Sequence, residues 1–382
     1  MHPSDTPQSQ KDAVAQSQVV VCPSSILHLE YNSMKYSRKE IDKAGKVIIS
    51  ASPDLFEQAD AVVKVDDWRK LHLPVIELLS RHVATLLDKK GIAVAFSSQR
   101  LKRMTSIKEK LMRSATMGLG GVQDIGGGRF VFDDMDSLLR AKECIATTTF
   151  PDFSLDHELY DYITRPKDSG YRSIHFVYKY TKPGSDLDGM RVELQIRTKL
   201  QHDWATAVET AELISRSSLK ASQGDQAWLD FFKLVSAIFA LSEHQPVNAS
   251  FKDMTEEQYC VRFYEMNNKD KFVEKLRALV GAVSLTEQQS FSGGYVLLVI
   301  NYDEKKVGIR HFKQDENENA NEQYAQIEKN IDRTKAAVVL VAVSDVKELR
   351  EAYPSYFLNS EEFITALADF QQTCQLKGYI KN

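Results

Sequence analysis

Long apolar runs are missing from this chain. No stretch approaches about eighteen consecutive apolar residues, and the Gln-, Ser- and Pro-rich segment Met1 to Gln18 has no apolar run behind a basic patch. Neither a membrane span nor a secretory signal is expected. Cysteine is scarce too: Cys22, Cys144, Cys260 and Cys374 lie far apart with no C-x-x-C pair, which argues against a disulfide framework and structural zinc and favours a reducing, cytoplasmic setting. A surplus of one charge is also absent. The 49 Lys and Arg against 53 Asp and Glu leave −4, which excludes holding nucleic acid by bulk positive charge. Any polyanion must be met by a local patch. What is present is a chain of 382 residues, 43% hydrophobic and 27% charged, long enough for two domains.

Residues 1–30 carry little periodicity and read as a mobile tail. From Ser37 to Ile48, Ile41, Ala44, Val47 and Ile48 recur at helical spacing, with Lys35, Lys39, Lys43 and Lys46 along a different face. A second helix is expected from Asp66 to Lys89, kinked or begun at Pro74. After Gly91 short β-rich runs alternate with helical ones: strands at Gly128 to Phe132, His157 to Thr164, Arg172 to Tyr180 and Met190 to Arg197, and helices at Met135 to Ile145, Thr198 to Ser215 and Gln226 to Leu241. This predicts a mixed α/β (α+β) domain over 31–250. Over 251–382 a strand at Tyr259 to Tyr264, a helix, a hairpin around Asp303 to Lys306, a helix, and a strand at Ala336 to Val343 predict a smaller β-α-β-β-α-β-like domain. One more helix, Ser360 to Phe370, follows. This half has no convergent polar cluster and reads as regulatory, with Asp315 to Glu322 as a solvated loop.

Chemistry concentrates in four segments. Arg100 to Arg113 holds six basic residues against one acidic. If it enters a helix near Thr105, Ser106, Lys110 and Arg113 share a side behind Arg100 and Lys102. That suits a polyphosphate cradle, or equally a basic surface helix. Asp124-Ile-Gly-Gly-Gly-Arg129 places a carboxylate, glycines and an arginine at the mouth of a strand: a site for phosphate and Mg²⁺, or a tight loop with a capping Asp. Strand alternation then puts Tyr171, Ser173 and His175 on one face, and Arg191, Glu193, Gln195 and Arg197 on another polar face backed by Val192, Leu194 and Ile196. Together these residues fit phosphoryl or pyrophosphoryl transfer from a nucleotide, with Tyr171 to stack a base.

The run Asp161-Tyr-Ile-Thr-Arg-Pro-Lys-Asp-Ser-Gly-Tyr-Arg-Ser-Ile-His175, then Val192-Glu-Leu-Gln-Ile-Arg-Thr198, resembles the synthetase domain of RelA/SpoT-type alarmone enzymes. The resemblance covers about Ser98 to Ala211. It implies a nucleotidyltransferase-like mixed sheet flanked by helices, with ATP as pyrophosphate donor and Mg²⁺ as cofactor. ATP would be held by Arg100, Lys102, Ser106, Lys110 and Arg129, and the metal by the catalytic Asp124 and Glu193. The acceptor side would fall on Lys167, Tyr171, His175, Gln195 and Arg197. The reaction implied moves the β,γ-pyrophosphate of ATP onto a ribose hydroxyl, with Glu193 assisting its deprotonation. His202-Asp203 reads as incidental. Where many such synthetases have W-A-x-x-E-H, this chain has Trp204-Ala205 leading to Val208-Glu209.

That departure, the C-terminal half and Tyr353-Pro-Ser-Tyr356 are similar to the CapRel branch, the fused toxin–antitoxin members of the toxic small alarmone synthetases. This second resemblance implies that the acceptor is the 3′ CCA end of tRNA, and that translation is blocked as an anti-phage response. It also implies that a pseudo-zinc-finger domain over 251–382 restrains the enzyme through Tyr353 and Tyr356 until a phage protein, typically capsid, binds. The alternatives are a GTP/GDP pyrophosphokinase making (p)ppGpp and a catalytically inactive nucleotide sensor. Oligomeric state is not legible.

Overall fold

In the computed structural model the described residues are 36–102, 104–114, 116–157, 159–215, 226–277, 295–301, 306–331, 336–342 and 354–380. Helix α1 (Arg38–Ile48) starts at a capping box, in which Ser37 accepts from the Glu40 amide and the Glu40 side chain returns to the Ser37 amide. Ile41, Ala44 and Ile48 are buried while Lys39, Lys43 and Lys46 are exposed, so both faces expected from the periodicity are found. The single helix expected over Asp66 to Lys89 is two. Helix α2 (Leu55–Lys70), capped by Asp54, and α3 (His72–Lys89) are separated at Leu71. Pro74 lies in the first turn of α3, where amides lack intrahelical partners anyway.

The N-terminal half is built on β1 (Phe96–Leu101), β2 (Gly126–Phe132), β3 (Phe153–Leu155), β4 (Tyr160–Asp161), β5 (Ile174–Tyr180) and β6 (Arg191–Thr198). Their order is β1-β2-β6-β5-β3, with β4 also on β5. Strands β2 and β6 run parallel and the other pairs antiparallel, so the sheet is mixed. Helix α4 (Met104–Arg113) follows β1, and α5 (Met135–Thr147) follows β2. One face of the sheet makes core: Phe130, Val192, Leu194, Ile196, Ile174 and Phe176 join Val75, Ile76, Leu79 and Val83 of α3 and Leu138, Ala141 and Ile145 of α5. Of the expected strand His157 to Thr164, only Tyr160–Asp161 pairs. Beyond it the Asp161 carboxylate accepts from the Ile163 and Thr164 amides, which turns the chain away.

The glycines of β2 have a different task from the one their composition suggested. A Cβ on Gly126 would lie 2.8 Å from the His72 Cβ, and one on Gly128 2.9 Å from the Ser80 Oγ. Both therefore let α3 approach the sheet closely. Gly127 alone of the three has open space around it.

Helix α6 (Lys199–Ser215) leaves β6 directly, and α7 (Gln226–Ser242), α8 (Glu256–Asp270), β7 (Tyr295–Asn301), β8 (Lys306–Phe312), α9 (Asn317–Asn330), β9 (Ala336–Ala342) and α10 (Pro354–Leu376) follow. The expected strand Tyr259 to Tyr264 is helix. A Thr255–Gln258 capping box starts α8, and Tyr259, Cys260, Phe263 and Asn267 are its buried stripe. Residues 272–277 are helical as well, so the described order is α-α-β-β-α-β-α, with an antiparallel sheet β8-β7-β9. Asp315 to Glu322 is not a loop but a 3₁₀ turn running into α9. Trp204 and Val208 of α6, Trp228 to Phe239 of α7, Tyr259 and Phe263 of α8, and Phe363 and Leu367 of α10 share one core. There Phe363 meets Phe239 at 5.7 Å and Phe232 at 6.2 Å between ring centres.

The expectation against disulfides is also corrected. Cys260 and Cys374 are bonded, because α8 and α10 pack side by side although the cysteines are 114 residues apart in sequence. Among the described residues no helix is long and apolar enough to cross a membrane.

Candidate active site

Cross-strand register assembles the site. Ser98 of β1 lies opposite Arg129 of β2, Arg129 opposite Gln195 of β6, Gln195 opposite His175 of β5, and His175 opposite Tyr160 of β4. Residues directly opposite share a face. One row further along, Arg100 is opposite Gly127 and Gly127 opposite Glu193. The face away from the α3 core therefore carries Arg100, Arg129, Glu193, Gln195 and His175, drawn from four strands.

At one end of this face Lys102 and Lys110 both donate to Asp124, at 2.7 and 2.9 Å. Burial works against the Asp124 charge, yet the two lysines hold its carboxyl well below the usual range. Ser106 is half-buried in the first turn of α4, one turn ahead of Lys110. Arg113 is exposed at the far end of the helix. Arg129 is 7% exposed, and among the described residues its Nε has no hydrogen-bond partner, a buried donor suited to an anionic ligand.

Glu193 lies at the centre. It receives the His175 Nδ1 at 2.8 Å and the Gln195 amide at 2.5 Å, while the His175 Nε2 meets the Tyr171 hydroxyl at 2.9 Å. Burial opposes the Glu193 charge, but the His175 cation brings it down to about 2. Burial equally opposes the His175 charge, and the Tyr171 and Glu193 oxygens on its two nitrogens overcome this and raise it to about 9. Tyr171 is lowered to about 8: burial is outweighed by the His175, Arg197 and Arg129 cations. Asp124 acts on Glu193 as a like charge.

Ionised carboxylates, alongside phosphate oxygens and water, are the donors Mg²⁺ takes in nucleotide sites. Asp124 and Glu193 thus fit the metal implied by the resemblance, and when bound it would neutralise phosphate charge.

Of the residues expected to serve an acceptor, Lys167, Tyr171, His175 and Gln195 lie together. Arg197 is buried instead, bonded to His202, and reaches the site as charge on Tyr171. His202 and Asp203 are buried in α6, where burial and the facing Glu362 of α10 raise Asp203 to about 7. Sequence reasoning missed Tyr162, although it stood inside the run Asp161 to His175. Its ring is edge-on to His175 at 5.2 Å, and the Lys167 Nζ lies 4.0 Å from its centre. Glu243 was missed as well. Its carboxylate takes Arg172 at 2.9 Å, Gln201 at 3.0 Å and the Thr198 hydroxyl, tying the lead into β5, the end of β6 and α6 to the end of α7. No spacing signal links these residues. Gly170, at φ +88, lets α7 in: its carbonyl accepts from Ser236, and a Cβ there would lie 3.0 Å from the Ser236 Cβ.

Residues 99–214 match the family model described as the region found in RelA / SpoT proteins. The GTP pyrophosphokinase YjbM of Bacillus subtilis is 35% identical over 118 residues, covering 30% of this chain and 54% of that protein. The GTP pyrophosphokinase rsh of Brucella melitensis is 31% identical over 156 residues, covering 38% of this chain and 19% of its own length. The chain thus spans about half of the first relative and a fifth of the second. Among solved structures, small alarmone synthetase 1 from Bacillus subtilis, bound to its product pppGpp, aligns over 47% of this chain and 94% of that one at 23% identity, with a TM-score of 0.38.

Proposed function

We propose that this chain is a RelA/SpoT-type pyrophosphokinase that uses ATP as donor and Mg²⁺ as cofactor. The observation that carries the reading is the single sheet face on which Asp124, Lys102 and Lys110 lie beside Arg129, Glu193 and the Tyr171–His175 pair. A ribose hydroxyl oxygen attacks the β-phosphorus of ATP, the bond between the β-phosphorus and the α,β-bridging oxygen breaks, AMP leaves, and the hydroxyl proton passes to solvent. Lys102, Lys110, Arg100 and Arg129 meet the phosphates. Asp124 and Glu193 would hold Mg²⁺. Glu193, kept ionised by the His175 cation, would contribute as an anionic anchor. Tyr171, backed by His175, offers the acceptor base a ring.

For the acceptor we favour the 3′ CCA end of tRNA, which makes the protein a translation-blocking toxin of the CapRel kind. Residues 251–382 would act as its antitoxin-like restraint and a phage protein, with capsid the first to test, as the trigger. Supporting the restraint is the packing of α10 on α6 and α7. Tyr353 lies outside the described residues, and Tyr356 opens α10 without a described side chain. A second reading, a GTP/GDP pyrophosphokinase making (p)ppGpp, is favoured by the names of the relatives. Incubation with labelled ATP and either tRNA or GDP separates the two: label in tRNA supports the toxin, and label in guanosine tetraphosphate with none in tRNA refutes it. Growth arrest on expressing Tyr353→Ala or Tyr356→Ala without any trigger supports the restraint; unchanged growth refutes it.

A further inference from the structure

Three tyrosines, not one, line the acceptor side. Tyr160 and Tyr162 are stacked, with ring centres 6.1 Å apart and planes 10° from parallel, and Tyr162 in turn lies 6.2 Å from Tyr171. Tyr160 sits directly across the ladder from His175, on the site face at the β4 edge, and is 38% exposed, a large exposure for an aromatic ring. Its support is rigid. Asp161 between the two rings is buried, pairs with Lys142 at 2.7 Å and accepts the Ile163 and Thr164 amides, while the Tyr162 amide donates to the Ser173 carbonyl. The loop that follows exposes Arg165 and Lys167, and the Lys167 ammonium lies against Tyr162.

A mononucleotide acceptor has one base and needs one stacking ring. A further exposed ring, held on the same face beside exposed cations, suits a chain in which a second base precedes the reacting nucleoside and a phosphodiester joins them. We infer that Tyr160 and Tyr162 form a base-stacking subsite for the penultimate nucleotide of a single-stranded RNA 3′ end, with Lys167 meeting the linking phosphate. The inference rests on the acceptor proposed above and adds to it the residues that would hold the base before the reacting nucleoside.

The test is direct binding by the full-length chain carrying Tyr353→Ala and Tyr356→Ala, which on the reading above lifts the restraint, with the donor site filled by a non-hydrolysable ATP analogue and Mg²⁺; wild type below means Tyr160 in that background. The ribotrinucleotide CCA is titrated against AMP on wild type, Tyr160→Ala and Tyr160→Phe. Wild type should bind CCA more tightly than AMP. Tyr160→Ala should lose about tenfold for CCA and several-fold less for AMP, and Tyr160→Phe should keep CCA binding within about twofold, since stacking needs the ring and not the hydroxyl. Equal affinity of wild type for CCA and AMP, unchanged CCA binding in Tyr160→Ala, or equal losses for both ligands each overturn the subsite. Label transfer is read separately: if no acceptor is labelled while Tyr160→Ala still binds CCA tenfold more weakly, the reaction proposal falls and the subsite stands.

Discussion

Replacing Glu193 by Gln probes the centre of the site through its neighbour. The substitution keeps an oxygen to receive the His175 Nδ1 but removes the charge. In the wild type His175 is raised from 6.5 to about 9, with the Tyr171 hydroxyl on one ring nitrogen and Glu193 on the other, against a burial that favours the neutral ring. That interval corresponds to about 3 kcal/mol favouring the charged ring. Without Glu193 only Tyr171 opposes burial, and His175 should fall to near its ordinary value. Selective ¹³C labelling of histidine and NMR titration read this directly: the wild-type ring stays protonated through pH 7.5, whereas the variant's titrates near 6.5. The sign of the stability change follows. A raised histidine contributes stability that is fully present below pH 6.5 and is lost as pH rises through about 9, so the variant's deficit should be largest near pH 6 and shrink toward pH 9. Denaturant unfolding across that range measures it. A His175 titration within one pH unit of wild type, or a deficit that does not change with pH, would falsify the claim that Glu193 holds the imidazolium.

Other substitutions separate catalysis from architecture. Asp124→Asn should reduce pyrophosphate transfer by about a hundredfold, and Lys110→Ala should raise the KM for ATP by about tenfold, because a cation–phosphate contact is lost; an unchanged KM in steady-state assays would reassign Lys110 to structure. Glu243→Ala leaves Arg172, 3% exposed in its side chain, without a carboxylate partner and should cost about 3–5 kcal/mol, seen as a thermal midpoint lower by roughly 10 °C. A loss under about 1 kcal/mol refutes the network. Gly128→Ala drives a methyl to 2.9 Å from Ser80 and 3.1 Å from Ile76 and should destabilise by about 1–3 kcal/mol. Gly127→Ala, with nothing closer than 3.9 Å, should fold normally but weaken ATP binding, and equal instability of the two would contradict the assignment of faces.

Local rules carried much of this protein. The periodicity of α1, the alternation Arg191 to Arg197 and the helices at Met135 and Gln226 were all legible, because periodicity depends on neighbours in sequence. So were members of the polar cluster: Asp124, Lys102 and Lys110 could be named from charge and motif alone, and they meet in the structure. Where two signals competed, the local reading failed. Tyr259 to Tyr264 is rich in β-formers, but the Thr255–Gln258 cap and a buried stripe at helical spacing won. The glycines of β2 looked like a ligand's approach, yet two of the three serve α3, since composition does not say which face of a strand a helix will cover.

The sequence by itself determined a mixed α/β N-terminal half, its polar strand faces and the charged and aromatic residue types on them. Only the tertiary structure decided which of them meet: that two lysines converge on Asp124, that Tyr160 stands across from His175, that Glu243 closes on Arg172, and that Cys374 returns to Cys260. These pairings span tens to more than a hundred residues, and they are set by strand order and helix packing, which no local pattern encodes.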